Sequence, residues 1–168
     1  MSKPPARVHL YTPEQRARRD ATRWTLVQGI LAPVQFLVCL VSAALVFRFL
    51  MTGEGLEVAN ISVLIKTVLL LTIMVTGSIW EHEVFGVWLF AEPFYWEDVV
   101  SFGVIALHLA YVWSLWTGAL EPRSLMVLAL VAYATYIVNA VQFILKLRAA
   151  RRGATAAAGA TAGMGVAA

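Results

Sequence analysis

Along most of this chain apolar positions do not alternate with polar ones; they run together. Four such runs stand out, at approximately 24–50, 58–80, 99–118 and 125–145. Each reaches the roughly 20 residues that a helix needs to cross a bilayer. The runs are apolar on every side, so length rather than periodicity decides the element type. Lipid offers no partner to backbone N–H and C=O groups, which leaves helices or closed barrels. A barrel calls for alternating segments of about ten residues, and these runs are continuous. The pattern predicts an all-α polytopic membrane protein: four transmembrane helices in one bundle, with an interfacial or re-entrant segment between helices 2 and 3. Residues 1–23 form a basic arm, 24–147 the bundle, and 148–168 a Gly/Ala-rich tail expected to be disordered. Within the arm, PEQRARRDAT predicts a short surface helix, and Trp24 suits the interface.

Composition supports this partition. With 168 residues, 60% of them hydrophobic, and a mean hydropathy of +0.75, the spans use nearly all of the chain. No separate soluble domain is expected. The formal charge of +3 comes from the ends. Lys3, Arg7, Arg16, Arg18, Arg19 and Arg23 precede the first span, and Lys146, Arg148, Arg151 and Arg152 close or follow the last. Basic flanks stay cytoplasmic, so both termini are expected on the cytoplasmic side of the membrane. Anionic headgroups rather than nucleic acid are the expected partner of these tails. The single cysteine, Cys39, lies inside the first span and excludes an intrachain disulfide.

Chemistry concentrates in IWEHEVFGVWLFAEPFYWED, residues 79–98. It holds five of the ten acidic residues (Glu81, Glu83, Glu92, Glu97, Asp98), together with His82 and seven aromatic side chains. No Lys or Arg occurs between Thr67 and Pro122. Stretch 83–96 is too short and too interrupted, by Pro93 among others, to span; its aromatic residues suit headgroup level. Glu81 and Glu83 point about 200° apart on a helix and cannot pair locally. Glu81 ends the second span and Asp98 starts the third, so the connection can bring these two together. Two carboxyls in a low-dielectric pocket cannot both ionise cheaply, and the neutral one can serve as an acid.

Polar residues inside the spans fall on single faces: Gln28, Gln35, Cys39 and Ser42 in the first; Asp98, Ser101, His108 and Tyr111 in the third; Thr135, Asn139, Gln142 and Lys146 in the fourth. Most such stripes are interhelical hydrogen-bond glue. Lys66 is expected to snorkel outward or to pair with Glu57. His108 either bonds across the bundle or ligates a metal-centred macrocycle. No nucleophile elbow, phosphate loop, zinc spacing or Cys-x-x-Cys occurs.

Four segments then speak together. RRDATRWTLVQGILAPVQFLV, TIMVTGSIWEHEVFG, FYWEDVVS and AYATYIVNAVQF, in this order, resemble the 3-vinyl (in the older numbering 2-vinyl) bacteriochlorophyllide hydratase family of photosynthetic bacteria. The resemblance covers about residues 18–148. It implies a hydro-lyase that adds water to the vinyl group of a (bacterio)chlorophyllide, giving a 1-hydroxyethyl group on the way to bacteriochlorophyll a. It implies no cofactor of the protein's own, because magnesium arrives in the substrate. Other enzymes of the same biosynthesis are candidate partners for direct handover. Combined with the residues above, the expected acid–base pair is Glu81 and Asp98, with Glu97 and Glu83 in reserve and His82 as a proton relay. Trp80, Trp88, Tyr95 and Trp96 are expected to flank the macrocycle and His108 to ligate its magnesium. A non-catalytic tetrapyrrole carrier or assembly factor is the alternative: it would use the aromatic residues and His108 but would not need the carboxyls.

Overall fold

A computed structural model describes residues 10–165, and side chains through residue 150. The order is α1 (Pro13–Ala21), α2 (Arg23–Thr52), α3 (Leu56–Phe85), a single 3-10 turn (Glu92–Phe94), α4 (Tyr95–Thr117) and α5 (Pro122–Gly165). No strand occurs among the described residues. α1 is the surface helix expected from the arm. The Thr12 hydroxyl accepts from the Gln15 amide at 3.2 Å, and the Gln15 side chain accepts from the Thr12 amide at 2.9 Å. This reciprocal capping satisfies two otherwise orphaned donors. Thr22 ends α1 and caps α2, which turns the chain into the membrane.

Four helices are long and apolar enough to cross a bilayer: Arg23–Thr52, Leu56–Phe85, Glu92–Thr117 and Pro122–Ala150. α2 and α3 each contain 30 residues, and at 1.5 Å per residue both extend roughly 45 Å. A hydrocarbon core of about 30 Å leaves their ends in the interface. α3 therefore continues five residues beyond the expected limit of its span and carries Glu81, His82 and Glu83 on helix rather than on loop. The expected interfacial segment shrinks to residues 86–91 and the 3-10 turn. At the far end, α5 stays helical to Gly165, where residues from 148 on were expected to be disordered; alanine, the strongest helix former, dominates that stretch.

α2 packs on α3 and α4 on α5 as two hairpins, and α2–α5 and α3–α4 contacts close the bundle. Val46, Ala59, Val63, Val104, Met126 and Ala129 form its dry centre. The polar stripes face inward and bond across helices. Ser42 Oγ lies 2.7 Å from Ser62 Oγ and 2.6 Å from Tyr133 Oη. Tyr111 donates to Asn60 at 2.7 Å, Asn139 to Ser101 at 2.7 Å and Gln28 to Thr76 at 2.8 Å. Each such bond is worth roughly 0.6–2 kcal/mol in a bilayer, and together they fix the register of helices whose outer faces are uniformly greasy.

Lys66 departs from expectation. It neither snorkels nor pairs with Glu57, but is fully buried. Its Nζ lies 3.7 Å from the centre of the Tyr136 ring. With the Gln35 amide oriented to satisfy both of its neighbours, the Gln35 oxygen accepts from Nζ at 3.1 Å. The reason is helical phase: Ala59, Val63, Lys66 and Leu70 form one buried stripe of α3, so the side chain starts inside the bundle. No carboxylate pairs with it among the described residues. Replacing an uncompensated buried charge by an apolar side chain of similar volume is generally neutral or stabilising. Lys66→Met is thus expected to keep or raise the thermal midpoint of the detergent-solubilised protein, whereas a fall of several degrees would show that the Tyr136 and Gln35 contacts outweigh desolvation.

Candidate active site

The end of α3, the loop 86–91 and the start of α4 converge at the end of the bundle that also carries α1. Glycine sets the loop's entry: Gly86 caps α3 at φ 82°, and its amide bonds the His82 carbonyl. At the loop's exit, Phe90 adopts φ 60°, the only positive value at a non-glycine residue among those described. A bulky residue in this region costs on the order of 1–3 kcal/mol and persists only when its surroundings hold it there. Here the hold is direct. The Phe90 amide donates to Asp98 Oδ2 at 2.8 Å, and the next amide, Ala91, donates to Glu81 Oε2 at 3.2 Å. Phe90 also stacks on Phe102 at 5.4 Å.

Consecutive amides thus bind the two carboxyl groups proposed from sequence, and the carboxyls themselves lie within hydrogen-bonding reach of each other. Both are buried, Glu81 at 5% and Asp98 at 4% exposure. Their electrostatic settings differ. Asp98 is in the first turn of α4, where the helix dipole favours an anion, while Glu81 is close to the C-terminal end of α3, where it does not. Asp98 also receives the shorter amide bond.

The other expected residues separate into distinct roles. Glu97 is buried beside the pair, but its Oε2 is engaged by Lys146 Nζ at 2.5 Å. Lys146 comes from α5 and lies 5.2 Å from the Phe94 ring centre. The carboxyl cluster therefore does have a cation, one supplied 49 positions away in the chain. Glu83 points outward and accepts a hydrogen bond from the Thr22 hydroxyl, tying the α1–α2 corner to α3. Trp80 is half-buried, its indole donating to Thr25 at 2.9 Å. With Tyr11, Phe85, Phe94 and Phe143 it forms an aromatic cluster behind the carboxyls. It braces the site rather than presenting a free face. Trp88, Tyr95 and Trp96 are exposed, at 58%, 47% and 70%. Trp88 stacks on the exposed His82 ring at 4.1 Å and 3°.

His108 is elsewhere. It is 1% exposed and its Nδ1 lies 2.8 Å from the Val104 carbonyl oxygen. Ten residues of α4 separate it from Asp98, roughly 15 Å along the axis, so it shares no surface with the carboxyl pair. Of the groups that complete the site, Lys146 was visible in the α5 stripe but without an assigned partner. The Phe90 and Ala91 amides and Tyr11 carried no signal, because backbone donors and a lone aromatic residue in a polar arm are anonymous in sequence. No group of three or more His, Cys, Asp or Glu side chains able to hold a metal occurs among the described residues.

The arrangement sets two buried carboxyls within hydrogen-bonding reach of each other at the end of the bundle, flanked by exposed aromatic surface. Comparison with known proteins agrees with that chemistry. The family model described as 2-vinyl bacteriochlorophyllide hydratase matches residues 11–149. A protein of that name from Rhodobacter capsulatus is 66% identical over 148 residues, 88% of this chain and 85% of the relative. One from Cereibacter sphaeroides is 66% identical over 150 residues, 88% of this chain and 92% of the relative. No solved structure matches the chain. The carboxyl pair thus sits inside a match covering most of the sequence, and the chain belongs to the 2-vinyl bacteriochlorophyllide hydratase family.

Proposed function

We propose that Glu81 and Asp98 carry out the reaction for which the family is named. The chain is a hydro-lyase of bacteriochlorophyll biosynthesis, a hydratase of the bacteriochlorophyllide vinyl group. The observation that carries the residue assignment is the binding of two buried carboxyls, in opposite helix-end fields, by consecutive amides of one loop. The shared proton rests on Glu81. From there it passes to the terminal vinyl carbon, and the cation left on the carbon beside the ring is delocalised into the macrocycle. Asp98, ionised and held by the Phe90 amide, removes a proton from water as its oxygen attacks that carbon. The product is the 1-hydroxyethyl group. Asp98 now carries the proton and Glu81 has none, and with the carboxyls in hydrogen-bonding reach of each other the proton returns between them. Positioned acid and base groups each contribute about 10²–10⁴-fold, which suits a reaction with no redox step.

Lys146 neutralises Glu97, so the third carboxyl adds little repulsion and the pair keeps a single proton between its members. Tyr95, Trp96 and the Phe90–Phe102 stack supply flat apolar surface for the macrocycle. The basic arm and the Lys and Arg residues after the last span support a cytoplasmic position for both termini, and with them for the site, on the photosynthetic membrane. Substrate would then arrive where the other soluble and membrane-bound steps of this biosynthesis work.

In membranes of a host without this pathway, the expressed protein is expected to convert 3-vinyl bacteriochlorophyllide a to a product heavier by one water, followed by absorption and mass spectrometry. Bound pigment of unchanged mass would instead support a carrier. Glu81→Gln and Asp98→Asn are each expected to lower kcat by about 10²-fold or more without loss of the folded protein, while Glu83→Gln stays near the parent activity; normal turnover in both of the first two would remove the pair from the mechanism. A green fluorescent protein fused after residue 168 should fluoresce, and a periplasmic phosphatase fused there should stay inactive, if the termini are cytoplasmic.

A further inference from the structure

We infer that His82 is the axial ligand of the magnesium at the centre of the macrocycle, fixing how the substrate is presented to Glu81. The inference rests on the reading of the substrate class given above. A tetrapyrrole fills four equatorial positions of its metal and leaves an axial one open, and a neutral imidazole nitrogen is a common ligand for such a site. Of the two histidines among the described residues, His108 is enclosed by the bundle and His82 is exposed at the boundary. No hydrogen bond from a described residue engages either ring nitrogen of His82.

The ring is nonetheless held in place. It lies flat against the Trp88 indole, 4.1 Å between centroids and 3° between planes. Trp88 is itself fixed by its carbonyl, which accepts from the Ser78 hydroxyl at 2.6 Å. An imidazole coordinates along its own plane, so a macrocycle bound to His82 stands perpendicular to both rings. Trp88 then buttresses the ligand instead of lying on the macrocycle face, a role distinct from the stacking expected of it from sequence. Competing oxygen ligands are occupied: Glu83 by Thr22, Glu97 by Lys146, and the central pair by the loop amides. Glu92 is exposed on the 3-10 turn and serves as the comparison residue below.

Sequence adjacency supplies the remaining constraint. Glu81 and His82 project from neighbouring positions of α3, about 100° apart around its axis. Anchoring the ring metal at His82 puts the rim of the macrocycle, where the vinyl group sits, over the adjacent side of the helix, towards Glu81. Binding at the metal and protonation at the rim thus come from consecutive residues of one rigid helix.

The test uses the full-length protein in detergent and the 3-ethyl analogue of bacteriochlorophyllide a, which cannot be hydrated, with magnesium and without it. Wild-type protein is expected to bind the magnesium form about tenfold more tightly than the metal-free form. His82→Ala should lose this preference and leave metal-free binding unchanged, with the metal-sensitive resonance Raman bands moving from their nitrogen-ligated to their water-ligated positions. Imidazole added to His82→Gly should restore both. Equal binding of the two forms by the wild type, or a preference that survives in His82→Ala but is lost in Glu92→Gln, would overturn the inference. A wild type that prefers magnesium yet leaves the vinyl substrate unhydrated would sink the hydratase reading and not this one.

Discussion

Two carboxyl groups buried within hydrogen-bonding reach of each other at the end of a membrane bundle cannot both ionise cheaply, and much of this structure is built around that constraint. Glu81 arrives on the end of a helix that projects beyond the hydrocarbon core; Asp98 opens the next helix. The chain between them must turn in a few residues and return, because the two ends meet. That turn ends in a strained Phe90, held in its left-handed conformation by an amide bond to the carboxyl it serves. Strain and the carboxyl pair share one contact: release of Asp98 would free the loop, and movement of the loop would strip a donor from Asp98.

Around this pair the bundle distributes support on both sides. Behind it, Tyr11 from the arm, Trp80 and Phe85 from α3, Phe94 from the 3-10 turn and Phe143 from α5 form one aromatic cluster, so four separate chain segments must be in place before Glu81 is. Beside it, Lys146 ties α5 to the start of α4 through Glu97. A second lysine, Lys66, is fully buried in the middle of the bundle against Tyr136 and Gln35. The two lysines show what depth does to a cation: near the interface it acquires a carboxylate partner, and in the core it makes do with a ring face and an amide oxygen.

What sequence could reveal followed the strength of each physical rule. Lipid forbids unsatisfied backbone, so four continuous apolar runs left no architecture but a helical bundle, and the inward stripes of Ser42, Tyr111 and Asn139 followed from helical phase. The meeting of Glu81 with Asp98 was legible for a related reason, since a short connection between antiparallel helices must join their ends. Failures arose where a side chain's surroundings depend on residues distant in sequence. Lys146 shows no partner in its own neighbourhood. Lys66 looks like a snorkelling residue until its place in the stripe with Ala59 and Val63 is counted. His108 attracted a ligand role by chemistry alone, and the structure encloses it in the bundle, well away from the carboxyl pair. Trp80 was one of several interchangeable aromatics until its bond to Thr25 singled it out as a brace.

Hydration of a vinyl group on a greasy macrocycle poses conflicting demands. The substrate partitions into lipid, water does not, and a carbocation adjacent to the ring needs a nearby negative charge that bulk water would screen. A site in the hydrocarbon core would lack water, and one on a soluble surface would lose the field of Asp98 to the solvent. The end of α3 satisfies both conditions. It stands beyond the core but is covered by its own loop, so in the proposed mechanism an ionised Asp98 keeps its field in a poorly screened setting while water remains a short distance away. In the proposed mechanism the length of α3, greater than a span requires, serves the chemistry: it carries a rigid helical acid out of the lipid without surrendering it to the water.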